Sequence, residues 1–454
     1  MCEFIGRRPE LNNLENLYSK PNSETCAIYG RRRIGKTSLL NEFCKNKRTI
    51  FIASTEGSEL MNLEGIRRSI SEFTKKDTKS FANFFEALDA IKEACNNKKT
   101  VLIIDEYPYL VKSAPHISSI LQHFIDHDMK KMDLFLILCG SSIRTMTDEI
   151  DGHDKPLFGR FLHRMKIRPL SYKECKEFHP RMSEEDNMSL YLIAGGVPLY
   201  HKILSDDNFK ECIINSFLET YAPLSDEASG IVERELSPSG TYKTIISTIA
   251  EGSSRLKEIA EKSSVSEAIC SRYLNNMEFL DLVERINPMG NAPKKPLFRI
   301  KDNLLRFYYS VINGNASLLH NDNKDAIYDR IKHQIDTYLG HAFEDACSEY
   351  VQANYICKDI GKWWGRAEDE DVDIDIVAII TNGHDDYTLF AECKYRTKPI
   401  GFESLNTLEN RSTYVKGLMN VKLFIFSKSG FTDDLKEYAE KNDVTLISLH
   451  DMYS

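Results

Sequence analysis

The segment Gly30-Arg-Arg-Arg-Ile-Gly35-Lys36-Thr37 spaces two glycines, a lysine and a hydroxyl in the pattern GxxxxGK[ST]. Glycines at those places let the backbone curl until successive N–H groups point inward at phosphate oxygens. Ser38 then opens a helix whose positive N-terminal end suits the same anion. Lys36 supplies a mobile point charge for β and γ phosphates, and the Thr37 hydroxyl is a ligand type for Mg²⁺. Farther along, Val101-Leu-Ile-Ile runs into Asp105-Glu106, an apolar strand ending in two carboxylates. Asp105 is expected to hold Mg²⁺ through water, and Glu106 to orient or deprotonate an attacking water. The N-terminal third thus reads as a site for a nucleoside triphosphate with Mg²⁺.

A second set of reactive types lies near the C-terminus: Glu344 in a helical stretch, Asp375 in Asp373-Ile-Asp375-Ile-Val, and Glu392-Cys-Lys394 at the end of an apolar run. Side chains alternate along a strand, so Asp373 and Asp375 share one face, as do Glu392 and Lys394. Two carboxylates can bind Mg²⁺, the metal can lower the pKa of a bound water, and a nearby ammonium can position that water. These are the types that metal-assisted phosphodiester cleavage uses. An amphipathic strand with one wet face would also carry such acids.

Elements must bring these groups together. Up to about residue 170, short apolar runs at Cys26–Tyr29, Thr49–Ala53, Val101–Ile104, Leu134–Cys139 and Met165–Ile167 alternate with helix-length amphipathic stretches, which predicts a parallel sheet covered by helices. Tyr172 to roughly Ile231 turns helical, broken at Gly195, Gly196 and Pro198, and reads as a small lid. Residues 241–300 order as helix, turn, helix, turn, longer helix and two short strands, which suggests a winged helix. Its third helix is expected to turn Ala268, Ile269, Tyr273, Leu274, Met277 and Leu280 inward and Ser266, Arg272 and Asn275 outward. Wing strands are expected at Leu282–Arg285 and Leu297–Ile300, with Lys294 and Lys295 at the tip. After a polar stretch from Asn313 to Asp329, a helical pattern over Ile335–Asn354 leads into strands at Val372–Ile380, Thr388–Cys393 and Val421–Phe426.

At 454 residues the chain exceeds one ordinary core, and 42% apolar with 28% charged residues describes a folded multidomain protein. A net charge of -9 excludes a surface that coats nucleic acid or anionic membrane throughout, so any such contact is local. Within 241–300, nine Lys/Arg against seven Asp/Glu is too small a surplus to attract DNA strongly. The 11 cysteines form no close metal-binding pairs and suit buried thiols in a reducing cytoplasm. No run approaches the roughly 18 apolar residues of a membrane span.

Taken together, these motifs resemble the AAA+ and STAND P-loop ATPases, and specifically the archaeal ATPase family. Phe4-Ile-Gly6-Arg7-Arg-Pro-Glu10 matches that family's opening box, and Gly195-Gly-Val-Pro198 its lid motif. The resemblance implies ATP and Mg²⁺ as cofactors, Arg7 and Pro198 beside the base, Ser141 as a sensor of the γ phosphate, and Arg160, with Arg164 as second choice, as an arginine finger or sensor. Ile360-Gly-Lys-Trp363-Trp364, Ala391-Glu392-Cys-Lys394 and Ser427-Lys-Ser-Gly430-Phe431 resemble the C-terminal domain of the same family, which looks like a PD-(D/E)XK nuclease. It implies Glu344, Asp375 and Glu392 as metal ligands and Lys394 as the catalytic lysine. The expected class is α/β and multidomain: a P-loop ATPase core (1–170), a helical lid (171–235), a winged helix (236–312) and a mixed α/β nuclease-like domain (313–454). The implied activity is an ATP-hydrolysing switch on DNA with a nuclease-like effector. The alternative is an ATP-regulated DNA-binding or self-associating scaffold whose C-terminal domain cuts nothing.

Overall fold

A computed structural model of the chain describes residues 4–204, 207–236, 239–289, 295–367, 370–381, 383, 385–415 and 420–454. It divides into two compact units: residues 1–170 together with Val197–Leu199, and residues 171–196 together with 200–454.

The first unit is built on five parallel strands, β1 (Glu24–Tyr29), β2 (Thr49–Ala53), β3 (Thr100–Asp105), β4 (Leu134–Gly140) and β5 (His163–Lys166), in the spatial order β2-β3-β4-β1-β5. Every residue of β3 and β4 is buried, as the continuous apolar runs require of strands covered on both faces. One face packs Leu63, Ile66, Ile91, Leu102 and Leu136 together, and the other packs Leu14, Leu39, Phe43, Val101 and Ile137. Parallel strands all end at one edge of the sheet, where open α/β folds bind ligands. Because β4 lies between β1 and β3, the loop after Tyr29 and the acids after Ile104 flank the end of β4.

In the second unit, helices over Tyr172–Glu235 precede a module of three helices, Ser239–Ala250, Leu256–Lys262 and Glu267–Phe279, and an antiparallel pair, β6 (Val283–Ile286) and β7 (Leu297–Ile300). Lys294 lies outside the described residues. The inner face of the third helix is Cys270, Tyr273, Leu274 and Met277. Ala268 and Ile269 are exposed, which corrects the expected inner stripe. Ser266 caps this helix through the Ile269 N–H, and both residues sit on the outward first turn, before the helix meets the core.

The second sheet is mixed, in the order β12-β11-β10-β9-β8. β8 (Cys357–Ala367), β9 (Glu370–Thr381) and β10 (Asp386–Lys394) are antiparallel, and β11 (Val421–Ser427) and β12 (Val444–Ser448) run parallel to β10. The helix before this sheet is longer than expected: Asn323 caps it and it runs Lys324–Asn354, taking in the end of the polar stretch. Among the described residues no helix is long and apolar enough to cross a membrane.

Candidate functional site

In the first unit the glycine loop is shaped by its neighbours. A Cβ on Gly30 would come within 2.7 Å of the Ile167 carbonyl oxygen, so only glycine fits where the chain after β5 crosses the loop. Gly35, with φ of 93°, turns the chain into the helix Lys36–Phe43. Arg7 is 4% exposed and donates to the Ile34 carbonyl at 3.0 Å and to Glu10 at 3.1 Å. Its side chain therefore braces the loop from behind, a role that its place in the opening box did not disclose.

Lys36 is 5% exposed and donates to the Gly30 and Arg31 carbonyls, both at 2.8 Å. Burial holds its ammonium below the ordinary value, against the opposite pull of Cys139, Glu106 and Asp105. Thr37 and Ser38 stand exposed on the first helical turn. The Thr37 hydroxyl donates to Asp105 Oδ2 at 2.8 Å, and Asp105 Oδ1 accepts from the Glu106 N–H at 3.0 Å. Glu106 has φ of 52°, a conformation uncommon for a non-glycine residue and concentrated at functional sites. Its Oε2 accepts from the Ser141 hydroxyl at 2.8 Å and from the Ser141 N–H at 3.2 Å. Ser141 thus fixes Glu106, an interaction that sequence spacing could not reveal.

Pro198 belongs to this unit as well, its Cγ 3.6 Å from where a Cβ on Gly35 would stand. Arg160 requires a correction. Its carbonyl accepts from Thr25 near the start of β1, and its guanidinium is engaged by Asp126 at 2.7 Å and by the Pro156 and Phe158 carbonyls. The loop leaves the opposite end of that strand, so Arg160 cannot sense phosphate there within its own chain. Arg164, on β5, is held by Asp151 at 3.0 Å.

The second unit assembles the C-terminal acids around a cavity of about 340 Å³ that Glu344, Asp375, Glu392, Lys394 and Arg411 help to line. Ala391 of β10 pairs with Ile376 of β9, which makes Glu392 and Asp375 the next facing pair. The Cys393 N–H donates to Asp375 at 2.8 Å. Glu392 is 1% exposed and is paired with Lys394 and, at 3.2 Å, with Arg411, which also lies 3.6 Å from Asp373. Glu344 is paired with Lys362 of β8. Burial, with the charges of Glu344 and Glu392, raises the Asp375 carboxyl to about 7. Burial pushes Glu344 the same way, but His341 and Lys362 more than offset it and hold that carboxyl low.

The four expected residues therefore meet in one cleft, and two basic residues, Lys362 and Arg411, join them unannounced by spacing. Among the described residues, however, no three His, Cys, Asp or Glu side chains stand close enough to hold a metal ion. Lysine and arginine neutralise Glu344 and Glu392, so ligation at those two acids requires the ion pairs to open.

A family described as an ATPase domain predominantly from Archaea matches residues 4–201, and one described as archaeal and bacterial proteins of unknown function matches residues 308–411. An uncharacterized protein of Methanocaldococcus jannaschii is 31% identical over 414 residues, 87% of this chain and 88% of that protein. Among solved structures, a Walker-type ATPase of Pyrococcus abyssi superposes with a TM-score of 0.54 at 16% identity, covering 67% of this chain and 96% of its own. The Aeropyrum pernix ORC2 protein, solved in ADPNP-ADP complexes, gives 0.50 at 15% identity, covering 70% and 96%. At such identities the two structures support the fold.

Proposed function

The chain belongs to the family of the Methanocaldococcus jannaschii protein, with an archaeal-type ATPase domain at its N-terminus, and from this premise we propose that it is an ATP-hydrolysing switch acting on DNA through a nuclease-like effector. The observation that carries the nucleotide chemistry is the bridge from the Thr37 hydroxyl to Asp105, a hydroxyl and a carboxylate of the types that hold Mg²⁺, beside the buried Lys36 ammonium. The loop fits the group: Gly30 admits no side chain, and the first turn of Lys36–Phe43 leaves Thr37 and Ser38 open. ATP with Mg²⁺ supplies the phosphoanhydride and the charge-neutralising ion.

The chain's residues do the rest. Lys36 would bind the β and γ oxygens, Thr37 and Asp105 would hold the ion, and Glu106, fixed by Ser141, would orient the attacking water. Arg7 keeps the loop in shape, and Pro198 lies against Gly35 beside the nucleotide. Residues 171–235 serve as a lid and 236–312 as a winged helix that offers Ser266, Arg272 and Asn275 to nucleic acid. In 313–454, Asp375, Glu392 and Glu344 would hold a divalent ion once the ion pairs of Glu392 and Glu344 open, and Lys394 would position the attacking water. The proposed setting is the cytoplasm.

The test of the effector is cleavage of DNA with Mg²⁺ in the presence of ATP, of a non-hydrolysable analogue, and of neither. Nucleotide-dependent cutting that Glu392→Ala and Lys394→Ala abolish supports the proposal, and cutting indifferent to both substitutions rejects it. A second reading, an ATP-regulated DNA-binding or self-associating scaffold, is favoured by one observation: two acids of the cleft, Glu344 and Glu392, are already matched by Lys362, Lys394 and Arg411. Absence of cleavage together with an ATP-dependent change in mass or DNA binding selects it.

A further inference from the structure

Beside the acidic cleft, and within the same unit, the fold encloses a larger cavity of about 700 Å³. This is the size of a small-molecule site, where 300–1,000 Å³ is usual. One wall is the β6/β7 pair and the turn before Leu256, and the other is the helix Lys324–Asn354 with β8. The two walls are fastened together: the Met289 N–H donates to the Lys362 carbonyl at 2.8 Å, and Met289 packs on Trp363.

The lining combines four aromatic side chains, Phe298, Tyr338, Trp363 and Trp364, with three bases, Arg299, Arg306 and Lys362. Aromatic faces and guanidinium groups are what single nucleic-acid units meet in proteins that bind them. Arg306 adds a sharper pointer. Its terminal nitrogen is held by Asp345 at 2.7 Å, yet its Nε, buried in this wall, has no hydrogen-bond partner among the described residues. A buried donor left unmatched is costly and calls for an acceptor. Each base is already engaged by a carboxylate, Arg299 by Glu284 and Asp345, Arg306 by Asp345 and Lys362 by Glu344, and Glu251 and Asp373 also line the space, so the cavity has no surplus positive charge for a polyphosphate chain. It shares Thr337, His341, Glu344 and Asp373 with the smaller cleft, so the two spaces adjoin.

We propose that this cavity is a binding site for one nucleotide unit carrying a single phosphate, its base against the aromatic wall and its acceptors toward Arg306. The unit is either a free nucleoside monophosphate or the terminal nucleotide of a strand. The site is separate from the phosphate loop and does not depend on cleavage.

The chain contains two tryptophans, Trp363 and Trp364, and both line this cavity, so tryptophan emission reports on it directly. The experiment titrates the full chain with thymidine 5′-monophosphate and, separately, with a short single-stranded oligonucleotide bearing a 5′-phosphate. The expected result is a saturable change in emission that persists in Lys36→Ala and shifts to about tenfold higher ligand in Arg306→Lys. Thr337→Phe, at an exposed position on the rim, fills the opening without touching the core and is expected to give the same shift. Tighter binding of the oligonucleotide identifies a strand end, and equal or tighter binding of the mononucleotide identifies the free form. No saturable change with either probe, or a midpoint the same in parent and Thr337→Phe, overturns the proposal.

Discussion

The Thr37 hydroxyl donates to the Asp105 carboxylate across 2.8 Å, joining the end of the phosphate loop to the end of the neighbouring acidic strand. If this pair holds Mg²⁺, Asp105→Asn lowers ATP turnover by about 100-fold, the scale seen when one preorganised electrostatic contact is removed. Binding of ATP in the absence of Mg²⁺ should change little. Steady-state hydrolysis and nucleotide titration with and without the metal check this, and equal losses in both conditions would contradict it.

Glu106 is held by two donors from Ser141. Glu106→Gln keeps the shape but removes the charge, and turnover is expected to fall by roughly 10²–10⁴-fold while ATP binding persists. Ser141→Ala removes only the side-chain donor and is expected to lower kcat by about tenfold with KM nearly unchanged, because the N–H contact remains. A change confined to KM in Ser141→Ala would argue for direct substrate contact instead.

Arg7 braces the phosphate loop through the Ile34 carbonyl. A buried hydrogen bond from a charged donor contributes roughly 1.5–3 kcal/mol. Arg7→Ala should therefore raise the dissociation constant for ATP by roughly 10- to 100-fold, with Arg7→Lys recovering little because a single ammonium cannot serve both Ile34 and Glu10. Full affinity in Arg7→Ala would remove it from the account.

His179 and His201 are buried side by side, 3.0 Å apart, and His201 meets the Gly195 carbonyl at 2.7 Å. Burial lowers their values from the ordinary 6.5 to about 4 for His179 and about 3 for His201, where the neighbouring ring adds to it. The unfolded chain therefore takes up protons at a pH where the folded chain does not. Their contribution to stability is full above about 6.5 and is lost as pH falls toward 4, by up to about 1.4 kcal/mol per pH unit for each ring. Calorimetric melting from pH 7 to pH 5 should show a shallower acid loss in His179→Gln than in the parent. Parallel curves would contradict it.

Much of this was legible in the sequence because it rests on local pattern. The loop declares itself by glycine and lysine spacing, and β3 and β4 by unbroken apolar runs that only a doubly covered strand tolerates. What stayed hidden depends on tertiary contact. β8 carries glycines and two register shifts that disrupt its alternation, so no strand period shows. Ser141 against Glu106, Arg7 against Ile34, and Lys362 and Arg411 among the acids are neighbours only after folding. Arg160 was placeable from the sequence: in a parallel sheet a residue just before β5 lies at the edge where strands begin, away from the phosphate loop, which argues against sensing within its own chain.

The central claim is that the cradle of Gly30, Gly35, Lys36 and Thr37 grips a magnesium-bound triphosphate. Isothermal titration calorimetry of the full chain with ATP and Mg²⁺, in parallel with Lys36→Ala, tests it most directly. The account predicts one site per chain with a clear heat in the parent, and a loss of that heat in the variant while its melting temperature is kept. Equal binding by the two proteins, or no binding by a folded parent, would contradict it.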